Sequence, residues 1–407
     1  MKITIISLLF PPERGGGAQR VEDLALHLTK SGHIVTVVTG FPSYPAGVVA
    51  DGFHKRWLAI SRWKDLFGLH RVWLYTSPKR DSFVRRMLHY LSFTITSIYG
   101  AMAAPRPDVV YVLSHPYFVA LSGCLIKLIT GAHLVMDIQD FWPEAPIALG
   151  LVKNRFLIRF LLWLERFLYN RCSLIIVLSD EMKGKVASRG IPENKIKHVF
   201  NWADLNLRVN GTNELLRKKL GLSGEFVLLF SGNIGVAQGL ITFIAAAELL
   251  KDEPRVRFVF LGDGVEKGHI MNEARQRRLD NVLFLNSVQT DEVPKYYSMA
   301  DVLILHLDPL PHRWAAVPSK LQGYMAAGKA VLAAAEGATA KLVEMASCGW
   351  AVVPANPKAI AERVRSALNM PREEIRMLGA NGRYFAEENF EKNKQCSQIE
   401  RELSLLV

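Results

Sequence analysis

Short, continuously apolar segments alternate with amphipathic stretches along the first half of the chain. The stretch 19–31 carries Val21, Leu24 and Leu28 at helical spacing before Gly32 ends it. Apolar strands that alternate with helices are typical of a parallel sheet covered on both faces. The predicted strands of this half are residues 3–10, 34–39, 108–113, 134–138 and 174–178.

The same alternation restarts in the second half of the chain. We therefore predict an α/β protein with two Rossmann-like domains, 1–200 and 201–388, joined by a hinge at 199–204. Ligands of open α/β sheets bind beyond the carboxyl ends of the strands, so two such sheets predict a cleft between the domains. The predicted strands of the second half are residues 226–230, 256–261, 282–285, 302–305 and 330–334, with a helix at 240–250.

The composition predicts two well-filled cores without a disulfide framework. Half of the 407 residues are hydrophobic, and the four cysteines are scattered without a C-x-x-C pair. This usage fits a reducing compartment and argues against a zinc site. The opening M-K-I-T-I-I-S-L-L-F-P-P-E ends in Pro-Pro without a small-residue cleavage site, so it predicts a buried strand rather than a signal peptide. No stretch reaches the roughly 20 apolar residues of a membrane-spanning helix.

The positive charge is concentrated in the first half of the chain. Residues 1–200 carry 25 Lys and Arg against 14 Asp and Glu, whereas residues 201–407 carry 25 against 24. Such asymmetry indicates an anionic partner for the first half, for which nucleic acid, anionic lipid and a phosphorylated substrate are the candidates. A basic surface that serves only solubility is the simpler explanation.

Two basic, apolar stretches favour one of these partners. Residues 80–104 and 153–171 interleave Arg with Leu, Ile, Phe and Tyr. Basic helices of this kind lie in a membrane interface with their cations near anionic headgroups, although each also fits an ordinary amphipathic helix packed on its own sheet. Their joint presence in the basic half favours association with a membrane surface. No nucleic-acid recognition motif accompanies them, so no nucleic-acid partner is expected.

Glycine-rich turns follow the first predicted strand of each half. In the first half, Gly15, Gly16 and Gly17 let the backbone approach a ligand, and the helix start offers free N–H groups to an anion. The spacing is not G-x-G-x-x-G, which disfavours a dinucleotide-binding turn. The matching turn of the second half, S-G-N-I-G-V-A-Q-G, contains Asn233 and Gly235. A cleft with a glycine turn on each side suits a diphosphate and the sugar attached to it.

A short helix is predicted within residues 317–329. Pro318 suits a helix N-terminus, and Gly328 suits its end. The first helical residues, Ser319 and Lys320, follow a strand-end loop, so their backbone N–H groups, hydroxyl and ammonium indicate a phosphate site. The alternative is a core helix that carries an incidental lysine.

Several motifs stand in order along the chain: the G-G-G turn, G-N-I-G-V-A-Q-G-L, F-L-G-D-G, P-S-K-L-Q-G-Y-M-A-A-G-K-A-V, C-G-W-A-V-V-P-A-N-P and a late F-E. In this combination the sequence resembles the family 4 glycosyltransferases of the GT-B fold over almost the whole chain. The resemblance is closest to the branch that builds colanic acid and O-antigen repeats, including N-acetylfucosaminyl transferases. It is specific for nucleotide-sugar use and does not name the sugar.

The resemblance implies a retaining transfer from a UDP-sugar, such as an N-acetylated deoxyhexose, without a metal or other cofactor. The nucleotide would lie on the second domain near Asp263 and Gly264, with the diphosphate at Ser319 and Lys320. The acceptor, linked to a polyprenyl diphosphate, would enter over the first domain at the inner face of the cytoplasmic membrane. Residues 389–407 would form a helix that crosses back to the first domain.

The chain departs from the family pattern in the second glycine turn. Family members carry Arg and Lys there, whereas this chain has Asn233 and Gln238 at the matching positions. Two cationic contacts to the phosphates are therefore missing, and the resemblance leaves Lys320, with Arg313 nearby, to provide them.

Candidate general bases follow two strands of the first domain. The acceptor hydroxyl must lose a proton, and carboxylates and His are the usual bases. The first choice is Asp140, because the branch carries a similar D-x-W-P stretch, and Asp137 and His115 follow. Asp137 also fits a structural hydrogen-bond partner, and His115 fits a turn residue before proline. Trp142 either stacks on a sugar ring or fills the core.

Two other functions remain open. The Glu-x7-Glu pair of the family falls on Ala315 and Gly323, so the carboxylates that grip the donor have no counterpart. A catalytically degenerate protein that binds nucleotide sugar or scaffolds a partner is one alternative. A nucleotide-sugar epimerase of the GT-B fold is another, and it would leave the basic helices unexplained. The retained G-G-G turn, the P-S-K helix and Asp140 favour the transferase.

Overall fold

A computed structural model describes the chain in two compact units. Unit 1 comprises Met1–Asn201 together with Lys392–Val407, and unit 2 comprises Trp202–Glu391. Two predicted site residues, His115 and Arg313, lie outside the described part of the chain. The described residues are 1–13, 15–44, 46–78, 83–114, 116–148, 150, 152–207, 209, 211–310 and 314–407.

The described residues of unit 1 contain one eight-stranded sheet. Its strands are β1 (Lys2–Ile6), β2 (Ile34–Gly40), β3 (Leu58–Trp63), β4 (Phe67–Val72), β5 (Val109–Ser114), β6 (His133–Ile138), β7 (Leu174–Val177) and β8 (Ile196–His198). They are ordered β3-β4-β2-β1-β5-β6-β7-β8, and all neighbours are parallel except β3 and β4. Strand β1 lies at the centre, where Ile3 faces Val35 on one side and Val109 on the other.

Three features of this sheet differ from the sequence-based prediction, the first being that the short strand β8 was not predicted. Strand β1 ends at Ile6 rather than at residue 10, and the Ser7 hydroxyl donates to the Leu9 carbonyl at 2.7 Å, a local bond that competes with the sheet ladder. The antiparallel hairpin of β3 and β4 was not predicted. Strand β3 is an edge strand with mostly exposed side chains, so it carries no buried apolar face for a sequence pattern to reveal.

Helices cover the sheet of unit 1 on both faces. The first six are α1 (Gly16–Lys30), α2 (Phe83–Met102), α3 (Val119–Thr130), α4 (Glu144–Ala148), α5 (Arg155–Arg171) and α6 (Asp180–Ala187), and a 3-10 turn spans Glu193–Lys195. The Asn154 side chain caps α5 by accepting from the N–H groups of Phe156 and Leu157 at 2.9 and 3.1 Å. Helices α2 and α5 occupy most of the two basic, apolar stretches. Among helices in the described part of the chain, none has the length and hydropathy that a membrane crossing requires.

Unit 2 holds a fully parallel sheet. Its strands within the described residues are β9 (Phe226–Ser231), β10 (Val256–Leu261), β11 (Val282–Leu285), β12 (Val302–His306), β13 (Ala330–Ala334) and β14 (Gly349–Val352). Their order is β11-β10-β9-β12-β13-β14, so the first strand lies between the second and the fourth. This is the strand order of dinucleotide-binding α/β folds. Fully buried Phe230, Phe258 and Val302 belong to its core, as continuously apolar parallel strands require.

The remaining helices complete both units. Those of unit 2 are α7 (Glu214–Lys219), α8 (Ile241–Leu249), α9 (Lys267–Gln276), α10 (Val293–Met299), α11 (Ser319–Ala327), α12 (Gly337–Met345), α13 (Pro357–Leu368) and α14 (Arg372–Asn389), with 3-10 turns at Leu205–Leu207, Val236–Gln238 and Thr290–Glu292. The last helix, α15 (Lys392–Ser404), belongs to unit 1. Its Glu400 carboxylate contacts His27 Nε2 at 2.9 Å and His33 Nε2 at 3.0 Å, which fastens α15 beside α1.

Candidate functional site

The strand order of unit 2 predicts a binding crevice next to β9. The connections from β9 to β10 and from β11 to β12 leave the sheet on opposite sides of β9, and a crevice opens at the carboxyl ends of the strands where the order reverses. The loops that follow β9, β10, β11 and β12 all begin at this edge, which we call the carboxyl edge of unit 2. Of the predicted donor-site residues, Asn233, Gly235, Asp263 and Gly264 lie on the loops after β9 and β10, and Ser319 and Lys320 lie on α11.

Two glycine loops interlock at the carboxyl edge of unit 2. Gly232 N–H donates to the Leu261 carbonyl at 2.9 Å, and Ile234 N–H donates to the Asp263 carbonyl at 2.9 Å. A Cβ on Gly262, whose φ is +149°, would lie 1.9 Å from the Gly232 oxygen. A Cβ on Gly264 would lie 2.2 Å from the Ile234 oxygen. Backbone contact therefore requires glycine at both positions, which explains the F-L-G-D-G motif without reference to a ligand.

The Lys320 side chain lies across the first of these loops. Its Nζ is 3.9 Å from the centre of the Phe230 ring and donates to the Asn233 carbonyl at 3.4 Å. A Cβ on Gly232 would lie 2.8 Å from the lysine Cε, so this glycine makes room for the lysine stem. Burial lowers the pKa of Lys320 to about 7. Within the described residues, no carboxylate forms an ion pair with this ammonium.

Helix α11 brings its N-terminus to the same place. Pro318 is the N-cap residue with extended backbone, and Gly328 ends the helix with φ +73°. The exposed Ser319 occupies the first turn, where backbone N–H groups have no partner inside the helix. Tyr324 on the same helix is buried, and its hydroxyl oxygen accepts from Ser231 N–H at 3.1 Å. This bond ties α11 to the end of β9 and orients the helix start.

Asp263 belongs to a polar network at the ends of β10 and β11. Its carboxylate accepts from Lys267 Nζ at 2.9 Å and from Ser287 N–H at 3.0 Å. The hydrogen bond from Lys267, together with those from Ser287, holds the pKa of Asp263 below its usual range. Lys267 also donates to Asn286 Oδ1 at 2.9 Å. The exposed Asp263 is therefore an ionised acceptor that is already oriented.

His306 and Asp308 were not predicted from the sequence, and they lie at the end of β12. The fully buried His306 ring accepts from Ala355 N–H through Nε2 at 3.0 Å, so the neutral ring carries its proton on Nδ1. That Nδ1 is 3.8 Å from Asp308 Oδ1. A Cβ on Gly239 would lie 2.1 Å from this carboxylate oxygen. The sequence feature that could have revealed them is the H-L-D segment, which places two polar residues at the end of an apolar strand.

The glycine turn of unit 1 has a more open environment. Gly15 is the N-cap residue of α1, and its carbonyl accepts from Gln19 N–H at 3.1 Å. A Cβ on Gly15 or Gly16 would meet no atom within 4 Å, whereas one on Gly17 would lie 3.2 Å from Leu113 Cδ2. Gly17 therefore serves the packing of α1 on β5. The space above Gly15 and Gly16 leaves room for a ligand at the carboxyl edge of unit 1.

Asp137, a predicted base, lies in a buried hydrogen-bond network. Its Oδ2 accepts from Arg20 Nε at 2.6 Å and from the Tyr111 hydroxyl, and its Oδ1 accepts from Gln139 Nε2 at 2.7 Å. Arg20 also donates to Asn201 Oδ1 at 2.7 Å. With its side chain fully buried and both oxygens engaged, Asp137 fits the structural alternative better than the catalytic one.

Asp140 lies in the loop that follows β6 and is exposed. Its position at the carboxyl edge of unit 1 suits contact with a ligand, and its role as a base stays a prediction. Trp142 packs at about 5 Å against Tyr117 and Phe118, with ring-centre distances of 5.1 and 5.0 Å, so it contributes to a cluster of aromatic side chains.

The sequence analysis missed Arg20, although it lies next to the glycine turn. Arg20 and Asp137 are separated by 117 positions along the chain, so no local spacing indicates their pairing. The positions that replace the family's acidic pair were named from the sequence. Ala315 is buried, and a Cβ on Gly323 would lie 3.8 Å from Leu207 Cδ1. Among the described residues, no group of three or more His, Cys, Asp or Glu side chains is arranged to hold a metal ion.

Sequence comparison shows which families the two units are similar to. Residues 15–202 match the family described as Glycosyl transferase 4-like domain, and residues 212–385 match Glycosyl transferases group 1. The chain is 29% identical over 420 residues to the Escherichia coli (strain K12) protein named Putative colanic acid biosynthesis glycosyl transferase WcaI, with 98% of each chain covered. It is 24% identical over 292 residues to Probable glycosyltransferase WbjE of Pseudomonas aeruginosa, covering 70% of this chain and 72% of that one.

Solved structures show the same fold. Anabaena Alr3699/HepE in complex with UDP superposes with a TM-score of 0.71 at 19% identity, covering 99% of this chain and 100% of that one. Sucrose-phosphate synthase from Thermosynechococcus elongatus superposes with a TM-score of 0.74 at 18% identity over all of both chains. The expectation of two Rossmann-like domains is therefore confirmed.

Proposed function

We propose a function for this chain from the premise that it belongs to the family 4 glycosyltransferases of the GT-B fold. In this proposal it transfers a sugar from a UDP-sugar to a lipid-linked acceptor during polysaccharide biosynthesis. The proposal rests on the position of Lys320. Its ammonium lies against the glycine loop at the carboxyl edge of unit 2 and has no carboxylate partner among the described residues. The name of the Escherichia coli relative supports the pathway, and the UDP complex of the Anabaena protein supports the nucleotide.

Unit 2 binds the donor in this proposal. The N-terminus of α11 and Lys320 receive the diphosphate, because free N–H groups, a positive dipole end and a desolvated ammonium stabilise an anion. Asn233 and Gly235 line the same loop, and Asp263 with its fixed orientation contacts the nucleoside. Arg313 adds a second cation from outside the described residues. Burial disfavours the protonated form of Lys320, and a bound diphosphate would stabilise that form.

Transfer exchanges one bond at the anomeric carbon for another. The bond from this carbon to the diphosphate oxygen breaks, UDP leaves with the electron pair, and the acceptor oxygen bonds to the same carbon with retention of configuration. Lys320 stabilises the charge that develops on the leaving diphosphate. The acceptor proton passes to a base of unit 1, for which Asp140 is the proposed residue because it is exposed at the carboxyl edge. His115 is the second candidate.

Unit 1 places the enzyme at the membrane surface where a lipid-linked acceptor resides. Helix α5 exposes Phe156, Phe160 and Trp163 to 81, 51 and 58% beside its arginines. Helix α2 exposes Ile95 and Tyr99 to 68 and 61%. Apolar side chains with neighbouring cations suit the interface of an anionic leaflet. We propose peripheral attachment to the inner face of the cytoplasmic membrane.

Donor binding is the direct test. The thermal stability of the purified protein is measured with UDP, GDP, dTDP, ADP and their sugars, without added metal, for the native chain and for Lys320→Ala. The proposal expects a selective stabilisation by one UDP-sugar that Lys320→Ala abolishes. Absence of any shift contradicts the donor site and leaves the scaffold alternative. Binding with conversion of the donor sugar and no acceptor requirement would instead indicate an epimerase.

Transfer itself is tested with Asp140→Asn. This variant is expected to keep the stabilisation by the UDP-sugar and to lose transfer to a polyprenyl diphosphate-linked acceptor, measured by product mass. Full activity of the variant would move the base to His115, because the carboxylate of Asp137 is buried and engaged. Asp180→Asn is the matched control, because Asp180 is an exposed carboxylate at the start of α6 in the same unit.

A further inference from the structure

An apolar groove crosses the surface of unit 1 between α2, α3 and the C-terminal end of α5. It encloses about 690 Å³, within the ~300–1,000 Å³ range of ligand pockets. Its apolar lining includes Leu91, Ile95, Ile98, Leu125, Leu128 and Phe167. Leu128 is 81% exposed and Ile95 68%, which is unusual for side chains that lie side by side on a protein surface.

The three helices around the groove are basic. Helices α2, α3 and α5 together carry seven Lys and Arg residues and one carboxylate, Glu165. That carboxylate is buried and forms an ion pair with Arg189, so it does not reach the surface. Two of the cations, Lys127 and Arg171, line one end of the groove itself. Within the described residues neither of them forms an ion pair with a carboxylate.

The cationic end of the groove has a defined geometry. Lys127 Nζ donates to the Arg171 carbonyl at 2.9 Å, and the Arg171 guanidinium lies 5.0 Å from the centre of the Phe167 ring. Both residues lie near the C-terminal ends of their helices, which precede β6 and β7. This end is therefore at the amino ends of the parallel strands, opposite the carboxyl edge that carries Asp140 and the glycine turn.

We propose that the groove binds a hydrocarbon chain of an anionic membrane phospholipid, with the phosphate of that lipid at Lys127 and Arg171. An apolar channel with cations at one end is complementary to an acyl chain with an anionic head. Because the cations lie opposite the proposed catalytic edge, this lipid is separate from the sugar acceptor. The inference rests on the proposed membrane placement of unit 1 and is independent of the donor chemistry of unit 2.

Cys124 provides a reporter within the groove. It lines the groove and is partly accessible, whereas Cys172, Cys348 and Cys396 are buried. N-ethylmaleimide therefore labels the full-length protein mainly at Cys124, and peptide mass spectrometry gives the rate. Burial raises the pKa of the Cys124 thiol, so labelling is run at about pH 8.5.

Labelling is compared without lipid, with phosphatidylcholine vesicles, and with vesicles that also contain phosphatidylglycerol. The proposal expects phosphatidylglycerol to slow Cys124 labelling about tenfold, with a much smaller effect of phosphatidylcholine alone. Ile95→Asp/Leu128→Asp is expected to lose this protection. Because both side chains are exposed, the variant should fold normally. The matched control is Leu215→Asp, an 84% exposed leucine of unit 2, which should keep the protection.

Two results would overturn the proposal. The first is vesicle binding with Cys124 labelled at the lipid-free rate, because the protein would then contact the membrane through outer helix faces alone. The second is a lipid-free dimer in sedimentation velocity in which Cys124 is already protected, because a second copy would then occupy the groove. Stabilisation by a UDP-sugar, measured in parallel without lipid, reports separately on the donor site of unit 2.

Discussion

Each unit places a basic side chain beside the glycine turn that follows its first strand, but the surroundings of the two differ. Arg20 in unit 1 is buried and bonded to the buried carboxylate of Asp137 at 2.6 Å. Lys320 in unit 2 contacts a phenylalanine ring and a backbone carbonyl, and burial lowers its pKa to about 7. The protein thus neutralises one cation internally and leaves the other desolvated and without a carboxylate partner among the described residues.

This difference separates a structural cation from a ligand-binding one. A buried ion pair holds its surroundings together, because removing one partner leaves an uncompensated charge. A desolvated lysine without a counter-ion has the opposite property, because an incoming anion improves its environment. Arg20 therefore supports the architecture of unit 1, whereas the surroundings of Lys320 favour the proposed role of this lysine in binding an anion.

The largest expected effect is on the stability of unit 1. Asp137→Ala leaves Arg20 charged and buried, and we expect the free energy of unfolding to fall by about 3–5 kcal/mol. Urea denaturation followed by circular dichroism measures it. Asp51→Ala, which removes an exposed carboxylate from a turn of the same unit, should change stability by less than about 0.5 kcal/mol. Equal stability of the two variants would contradict a structural role for Asp137.

The next effect separates function from stability in unit 2. Lys320→Ala should lower kcat/KM for the UDP-sugar about 100-fold, because a cation aimed at the leaving diphosphate is lost. Its stability should not fall, since the substitution removes a desolvated charge. The control is Lys329→Met, which removes a lysine that donates to the Ser298 and Ala300 carbonyls. That control should lose stability and keep the KM for the donor. If instead Lys329→Met raised this KM and Lys320→Ala lowered stability, Lys329 would be the donor-binding lysine and Lys320 the structural one.

Gly262, in the loop after β10, and Gly16, in the glycine turn of unit 1, are expected to respond differently to alanine. Gly262→Ala should lower the free energy of unfolding by about 1–3 kcal/mol, because its Cβ would collide with the Gly232 oxygen at a strained φ. Gly16→Ala should change stability by less than about 0.5 kcal/mol, since no atom lies within 4 Å of its Cβ. Thermal denaturation compares them. A loss of turnover in a stably folded Gly16→Ala protein would indicate that substrate approaches this turn.

The smallest effect is a pH dependence of donor binding. The Lys320 ammonium is present below a pKa of about 7 and is lost above it, so affinity for a UDP-sugar should fall about fivefold from pH 7 to pH 8. Isothermal titration calorimetry measures it. The UDP-sugar is a better probe than UDP, because UDP ends in a terminal phosphate that itself titrates at about pH 6. Lys320→Arg retains the charge, so its affinity should be constant over this interval, and a parallel decline would assign the titration to another group.

The repeating pattern of apolar positions predicted most of the architecture. Strands β10, β11 and β13 begin and end at the predicted residues, because buried parallel strands are apolar throughout and are bounded by polar turns. Strand β3 was missed, since none of its side chains is buried. Strand β4 is buried, but Gly68, His70 and Arg71 interrupt its apolar pattern. The glycine turns and the P-S-K helix start were also visible in the sequence, because backbone geometry restricts which residues occupy them.

The sequence by itself determined the fold class, the two-domain organisation and the positions of the glycine turns, because these depend on local periodicity and local backbone preference. The tertiary structure decided the state of the charges. Arg20 meets Asp137 across 117 positions, and Lys320 meets Phe230 across 90 positions of unit 2. Whether a cation is neutralised or desolvated depends on partners brought together by the sheet, so the difference between the ion-paired Arg20 and the desolvated Lys320 appears only in the folded chain.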